Sequence, residues 1–401
     1  MSPAWTYNYI NGGQNNSAYI NDAYSVLINQ GALTLADYPY STVASEYNYE
    51  WSTDVKKMLE ALRYRAKVSI YAVDSSSDDA DSGISEIKSR IAEGRVGVVW
   101  TNSSGWSTAT NDSGEKFIVR GSSRSIYGHF MTLVGYDDNI EITVNGVTLT
   151  GAFKVANSMG KNWGNDGYIW VSYDALNYTS KHGTEWQSKY SGTRTSVFSK
   201  DLKMNFYFIE VKQCNVSFAG YIQFVSEDPW NLTLKAEASS LKSSKKWSTS
   251  LNLLPLNNPT YRCLVFDYFD AATVRNLKYY FSRDWTVQLI GNKNYSTDQI
   301  LSQIIDNLGN PIAPVDAEYS SLTDGKYTKT TSINLAKGRV TSYDDNEITS
   351  ADSELILNYI VNNVEFSNLQ KFLADYNNDD TINVIDVIMM NQDIAKQRGI
   401  S

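Results

Sequence analysis

Two histidines and two cysteines in 401 residues leave few places where imidazole or thiol chemistry can reside. His129 stands in Gly128-His129-Phe130-Met131-Thr132-Leu133-Val134-Gly135-Tyr136, at the entrance of an alternating apolar segment that exits through a Gly-Tyr turn. Asn157 closes a second such run, Phe153-Lys154-Val155-Ala156, and opens a loop rich in glycine and asparagine that ends at Tyr168. An asparagine at a strand end can accept a hydrogen bond from one imidazole nitrogen. That bond fixes the tautomer and aims the other nitrogen at a nucleophile. His182, in polar Lys181-His182-Gly183, reads as an exposed residue without a catalytic role. Cys214 and Cys263 both follow the His/Asn pair in sequence, and neither opens a helix beside a base, the setting that activates a thiol. They read as small buried side chains or as one disulfide.

A different chemistry is written near the C-terminus. Asp375-Tyr376-Asn377-Asn378-Asp379-Asp380-Thr381-Ile382-Asn383-Val384-Ile385-Asp386 is a twelve-residue loop rich in oxygen donors. Side-chain oxygens at Asp375, Asn377, Asp379 and Asp386, with the Thr381 carbonyl, have the spacing that wraps a hard cation, and Ile382 would anchor the loop to a core. All-oxygen donors suit Ca2+ over a transition metal. Asp380 stands where the sharp turn prefers glycine. A weaker copy lies upstream, with Asp352 in the last position, Ile348 as anchor, and Asp345, Tyr343 and Thr341 at the earlier ligand positions. Asp345 and Asp352 are its only acidic members.

These groups need elements to position them. Helical periodicity runs over 18–30 and 53–66, and a shorter helix is expected over 82–93. Strands are expected at 67–73, 95–100, 130–136, 152–156 and 168–172. A helix pair followed by strands implies an α+β domain over 1–203. Short alternating segments such as Phe206–Val211, Gly220–Val225, Leu232–Ala236 and Trp285–Ile290 then suggest an all-β, sandwich-like module over 204–315. A polar linker is expected over 316–338, and a small all-α segment over 339–401 with two short helices, each after an acidic turn.

Composition narrows the partners. Net charge is −9, which disfavours nucleic acid and anionic membranes as general partners. No stretch approaches the roughly 20 apolar residues of a membrane span. The opening residues lack the basic and apolar regions of a signal peptide. Aromatic residues make up 13% with 28 Tyr, while charged residues are only 20%; this is a surface chemistry common outside the cell.

The segment from His129 through Asn157-Ser158, Gly160, Trp163-Gly164 and Gly167-Tyr168 resembles the C-terminal half of papain-like cysteine peptidases. In that family a tryptophan stands where this chain has Met159. The stretch from Ser2 through Gly12-Gly13 to Tyr38-Pro39-Tyr40 resembles the family too. The resemblance implies peptide-bond hydrolysis by a Cys-His-Asn set, with His129 and Asn157 as two members. It further implies that Gly12, Gly13 and Trp163 border the peptide substrate. The family's catalytic cysteine lies one helix before this stretch and has no counterpart here, so the chain as given is expected to be inactive and N-terminally incomplete. A transglutaminase or amidase of the same superfamily is a less favoured reading.

The paired loop-and-helix repeat over 339–401 resembles a dockerin, the calcium-dependent module that plugs enzymes into cohesins of cellulosome scaffolds. That resemblance implies Ca2+ as the bound ion, a cohesin as partner and an extracellular, cellulosome-associated location. The positions that contact cohesin in the family are Ser350, Ala351, Val384 and Ile385 here. The alternative from another class is a non-catalytic, peptidase-like binding or structural subunit of the same assembly.

Overall fold

The computed structural model describes residues 1–11, 15, 17–41, 52–74, 80–103, 106–121, 128–176, 203–213, 216, 218–226, 232–240, 246–253, 260–267, 282–290, 301–312, 326–343 and 347–399. Gly12, Gly13, His182, Cys214 and Asp345 lie outside them. Two compact units emerge, one of Met1–Ala66 with Val211–Ser401 and one of Lys67–Glu210.

The second unit is built on a mixed sheet. Its strands are β1 (Tyr64–Asp74), β2 (Val96–Asn102), β3 (Trp106–Thr110), β4 (Lys116–Gly121), β5 (Gly128–Val144), β6 (Val147–Ala156), β7 (Tyr168–Ser172) and β8 (Lys203–Gln213). Their spatial order is β1-β8-β2-β5-β6-β7-β4-β3. Strands β5 and β6 form a long antiparallel hairpin with register shifts near Gly135 and after Asp137, while β4 pairs with β7 in parallel. Alternation explains why β5 and β6 are strands. Met131 and Leu133 face one core with Phe153 and Val155, and the helix Ala80–Ala92 contributes Ile84 and Ile87 to it. A second cluster, with Phe117, Ile142, Leu149 and Trp170, fills another part of the same unit.

In the first unit, helix α1 (Pro3–Asn8) starts on Pro3 with Ser2 as its cap. Helix α2 is Ile20–Asn29 and α3 is Val55–Leu62, with α4 the Ala80–Ala92 helix of the other unit. Asp54 caps α3 by accepting from the Lys56 and Lys57 amides. The expected helix over 53–66 is therefore shorter than its pattern, because from Tyr64 the chain enters β1.

Among the described residues, seven further strands make two smaller sheets. β9 (Phe218–Ser226), β12 (Thr260–Asp267) and β14 (Leu301–Asp306) form one, ordered β12-β9-β14. β10 (Leu232–Ser240), β11 (Lys246–Leu253), β13 (Ser282–Ile290) and β15 (Lys326–Asn334) form the other, ordered β11-β10-β13-β15. β15 falls inside the stretch expected to be a linker over 316–338. Its Tyr327 is buried and bonds Ser302 at 2.9 Å, so the polar composition conceals an amphipathic strand.

Among its described residues the C-terminal segment has three helices where two were expected: α5 (Ser350–Ile360), α6 (Asn368–Ala374) and α7 (Val384–Gln397). Their apolar faces do not close a core of their own. Ile356, Leu369, Leu373, Val387 and Met390 join one cluster with Trp5, Leu59 and Leu62, and with Ile222, Leu234, Leu289 and Ile304 of the sheets. Hydrogen bonds complete the attachment. The Asn368 amide donates to Asn307 Oδ1 at 2.6 Å, its side chain donates to the Val216 carbonyl at 2.9 Å, and the Tyr343 hydroxyl donates to Asp306 at 3.2 Å. The sequence divisions at 315 and 338 therefore cut through one shared core. A segment of about 60 residues buries little apolar surface by itself, so sharing a core adds to its stability.

Candidate active site and acidic loops

His129 is the second residue of β5, opposite Thr101 of β2, and Asn157 is the first residue after β6. Pairing of Thr132 with Ala156 brings the start of one strand beside the end of the other. His129 Nε2 and Asn157 Oδ1 are 2.8 Å apart. The same oxygen accepts the Ser158 amide at 2.8 Å, which identifies the side-chain atom facing the ring as the acceptor. The imidazole must then donate from Nε2. In the neutral ring this leaves Nδ1 as a lone-pair base, the state needed to take a proton from a nucleophile.

The loop from Asn157 to Tyr168 is held by its own backbone. Asn157 donates to the Gly167 carbonyl at 2.9 Å, Gly167 donates to Trp163 at 2.7 Å, and Asn165 donates to Tyr168 at 2.7 Å. The Asn165 side chain pairs with both backbone groups of Lys116 on β4, at 2.8 and 3.0 Å. Gly164 has φ +62°, and a Cβ there would stand 2.2 Å from the Tyr168 carbonyl oxygen. Only glycine lets the chain pass this close.

Trp163 is half-buried and meets Trp106 edge-on with ring centres 6.4 Å apart, while Trp106 Nε1 donates to Thr101 Oγ1 at 2.8 Å. Thr101 and Trp106 thus buttress the strand that carries His129's neighbour, a role that no short motif announces. Met159 is 67% exposed and offers the His/Asn pair no aromatic cover. Cys263 is on β12 of the first unit, and no cysteine occurs in residues 67–210.

In the acidic loop, Asp375 ends α6 and its carboxylate accepts the amides of Asp379 and Asp380, at 3.0 and 3.3 Å. Asn377 Oδ1 accepts the same Asp379 amide at 2.9 Å, so two expected ligand oxygens converge on one N–H. Asp379 Oδ1 accepts Thr381 N–H at 2.8 Å. Asn378 and Asp380 adopt left-handed φ of 63° and 64°, so Asp380 makes the turn in which glycine was expected, a conformation that Asn and Asp tolerate best after glycine. Ile382 packs against the core as the anchor. The donor chemistry and the turn fit a hard cation at Asp375, Asn377 and Asp379. Asp386 is spent differently. Fully buried, it accepts the amides of Tyr376, Asn377 and Asn383 at 2.7, 3.2 and 2.9 Å. Among the described residues no three acidic, histidine or cysteine side chains form a ready metal cage.

The upstream copy departs further. Asp352, 1% exposed, accepts the Val340, Thr341 and Thr349 amides at 2.9 Å each and the hydroxyls of Thr341 and Thr349 at 2.7 and 3.0 Å. Burial raises its pKa, but the bonds from Thr341, Thr349 and Val340 outweigh this and hold the carboxyl below the ordinary range. Tyr343 points its hydroxyl at Asp306, not into a metal cage. Asp352 is accordingly a loop clamp and a helix cap, and its five donors leave it ill placed as a ligand.

Residues 8–189 match the papain family cysteine protease model. No curated protein matches. Among solved structures, SERA5E from Plasmodium falciparum is similar at 15% identity over 45% of this chain and 63% of that one, with a TM-score of 0.29. The structure bearing on antibody cross reactivity between the mite allergens Blo t 1 and Der p 1 is similar at 20% identity, 52% and 53% coverage and a TM-score of 0.27. The cysteine protease and lectin-like domains of Cwp84, a surface layer associated protein of Clostridium difficile, are similar at 14% identity, 82% and 78% coverage and a TM-score of 0.32. The chain spans less than two thirds of the length of the first two.

Proposed function

Starting from a papain-family cysteine protease domain over residues 8–189, we propose that this chain serves thiol-dependent hydrolysis of peptide bonds, with His129 as proton carrier and Asn157 as its positioning residue. What supports the reading is the 2.8 Å contact between His129 Nε2 and Asn157 Oδ1, which leaves Nδ1 to act as base. In the proposed reaction Nδ1 takes the thiol proton and the thiolate attacks the peptide carbonyl. The imidazolium then protonates the departing amine as the C–N bond breaks. Water, deprotonated by the same nitrogen, cleaves the thioester and regenerates the thiol. Residues 67–210 hold no cysteine, and Cys214 and Cys263 follow the His/Asn pair in sequence, so the 401 residues by themselves are proposed to give no acyl-enzyme.

A peptidyl vinyl sulfone probe on the protein as its source produces it tests this. We expect labelling at one cysteine that falls at least 100-fold in rate in His129→Ala. Labelling that survives the substitution would overturn the assignment. No labelling at all would favour the second reading, a non-catalytic peptidase-like subunit, for which the exposed Met159 speaks.

The C-terminal helices are proposed to dock a cohesin outside the cell, in a cellulosome. Val384, Ile385, Ile388 and Met389 form an apolar stripe on α7, exposed by 38–53%, and Leu357 and Val361 of the α5 end are exposed too. Ser350 and Ala351 stand exposed at the α5 start. Asp375, Asn377, Asp379 and the Thr381 carbonyl are proposed to hold Ca2+, which when bound would neutralise the acidic loop. Cohesin capture should be lost in EDTA and in Asp375→Ala. Capture that withstands both would remove calcium from the account.

A further inference from the structure

The acidic loop is faced by a cation of the chain's own. Lys337 lies in the turn that follows β15, and its ammonium donates to the carbonyls of Phe372 and Asp375, where α6 ends. It stands 3.9 Å from Asp375 Oδ2 and 4.1 Å over the Phe372 ring. The two charged side chains are only 15% and 11% exposed, so solvent screens the pair weakly. Asp375 is the first position of the loop and the side chain from which its turn hangs, through the Asp379 and Asp380 amides. Three further carboxylates, Asp379, Asp380 and Asp386, belong to the same twelve residues, and only Asp386 is fully committed to amides. A loop of this charge folds against its own repulsion unless a cation is present.

We propose that Lys337 is the resident counter-cation of loop 375–386: its ammonium stabilises the folded loop without metal and competes with a divalent cation for Asp375. The inference rests on the calcium reading above and adds a regulator to it. Nothing in the twelve residues themselves discloses it, because Lys337 is 38 residues from Asp375 in sequence. An ordinary helix C-cap would explain the two carbonyl bonds. It would not explain why the same ammonium is set beside the carboxylate that a cation needs most. On metal binding the ammonium cedes Asp375 Oδ2 and keeps its carbonyl partners, so the loop passes from an internal to an external cation with little backbone movement.

The whole chain, as wild type, Lys337→Gln and Lys337→Met, is titrated with CaCl2 in a calorimeter and melted in EDTA and in saturating Ca2+. Glutamine keeps a donor for the helix carbonyls and loses only the charge, so it guards against simple misfolding of the methionine variant. Both variants are expected to bind Ca2+ about tenfold tighter, as removing one like charge near a ligand implies. Both should melt earlier than wild type in EDTA, with the gap narrowing in Ca2+. Calcium binding by wild type with unchanged or weaker affinity in the variants overturns the competition and leaves the calcium reading intact. Binding by no protein overturns the calcium reading and the competition together. Binding only by the variants supports the inference in its strongest form.

Discussion

Asp352→Ala is expected to destabilise the first unit by about 3–5 kcal/mol, the range for stripping a buried charge network of its centre. Five donors converge on this carboxylate, from residues on both sides of the loop, and alanine leaves the buried Val340 amide and the partly buried donors of Thr341 and Thr349 without their acceptor. Asp352→Asn should be milder, because its single oxygen can serve one set of donors while its NH2 repels the other. The pH dependence has a definite sign. Because the folded carboxyl titrates below its unfolded value of about 4, its contribution is fully present above that pH and disappears as pH falls through the folded value. Urea unfolding at pH 7 and near pH 3 checks both statements. The wild type should lose stability on acidification by more than Asp352→Asn does. A difference under about 1 kcal/mol between wild type and alanine at pH 7 would refute the clamp.

Gly164→Ala is expected to lower stability by about 3 kcal/mol or more and to disorder the loop that presents Asn157. Two effects add here. A left-handed φ of +62° costs alanine about 1–2 kcal/mol, and the new Cβ would meet a backbone oxygen at 2.2 Å, a group that cannot rotate away. Gly160→Ala is the control. Its φ is +76° but a Cβ there meets nothing within 4 Å, so only the backbone penalty of about 1 kcal/mol applies. Thermal melts give the stabilities. Amide exchange at Asn157 and Gly167, whose N–H groups close the loop, reports whether the site itself loosens. Equal effects at the two glycines would mean that the close approach to Tyr168 contributes nothing.

The meeting of His129 and Asn157 was legible in the sequence, and the reason is local. Each of His129 and Asn157 sits at one end of a strongly alternating strand, and the two strands are joined by a hairpin, so their meeting follows from register. The helix α2 and the loop anchor Ile382 were legible for the same reason. The repeat at 339–401 was legible as a pattern but misaligned in its details. Counting eleven residues back from Asp352, as from Asp386 to Asp375, places Thr341 opposite Asp375. Hydrogen bonding places Thr341 opposite Asn377 instead, since the clamp reaches back 12 and 11 residues in the first copy and only 10 and 9 in the second. A carboxylate's spacing in sequence does not say whether its oxygens will turn to a cation or to amides.

By itself, then, the sequence marked many of the elements that form, which side chains could do proton chemistry and where oxygen donors gather. Those depend on periodicity, turn residues and residue type, all of which act over a few positions. Only the tertiary structure decided that the C-terminal helices share a core with the sheets and with α1–α3, that β15 completes a sheet within an apparent linker, and that Asp352 and Asp386 serve backbone amides. It alone set Lys337 against Asp375. The physical reason is common to these cases. Burial and hydrogen bonding are decided by what the folded chain brings within about 3 Å, and for these groups the partner comes from another element.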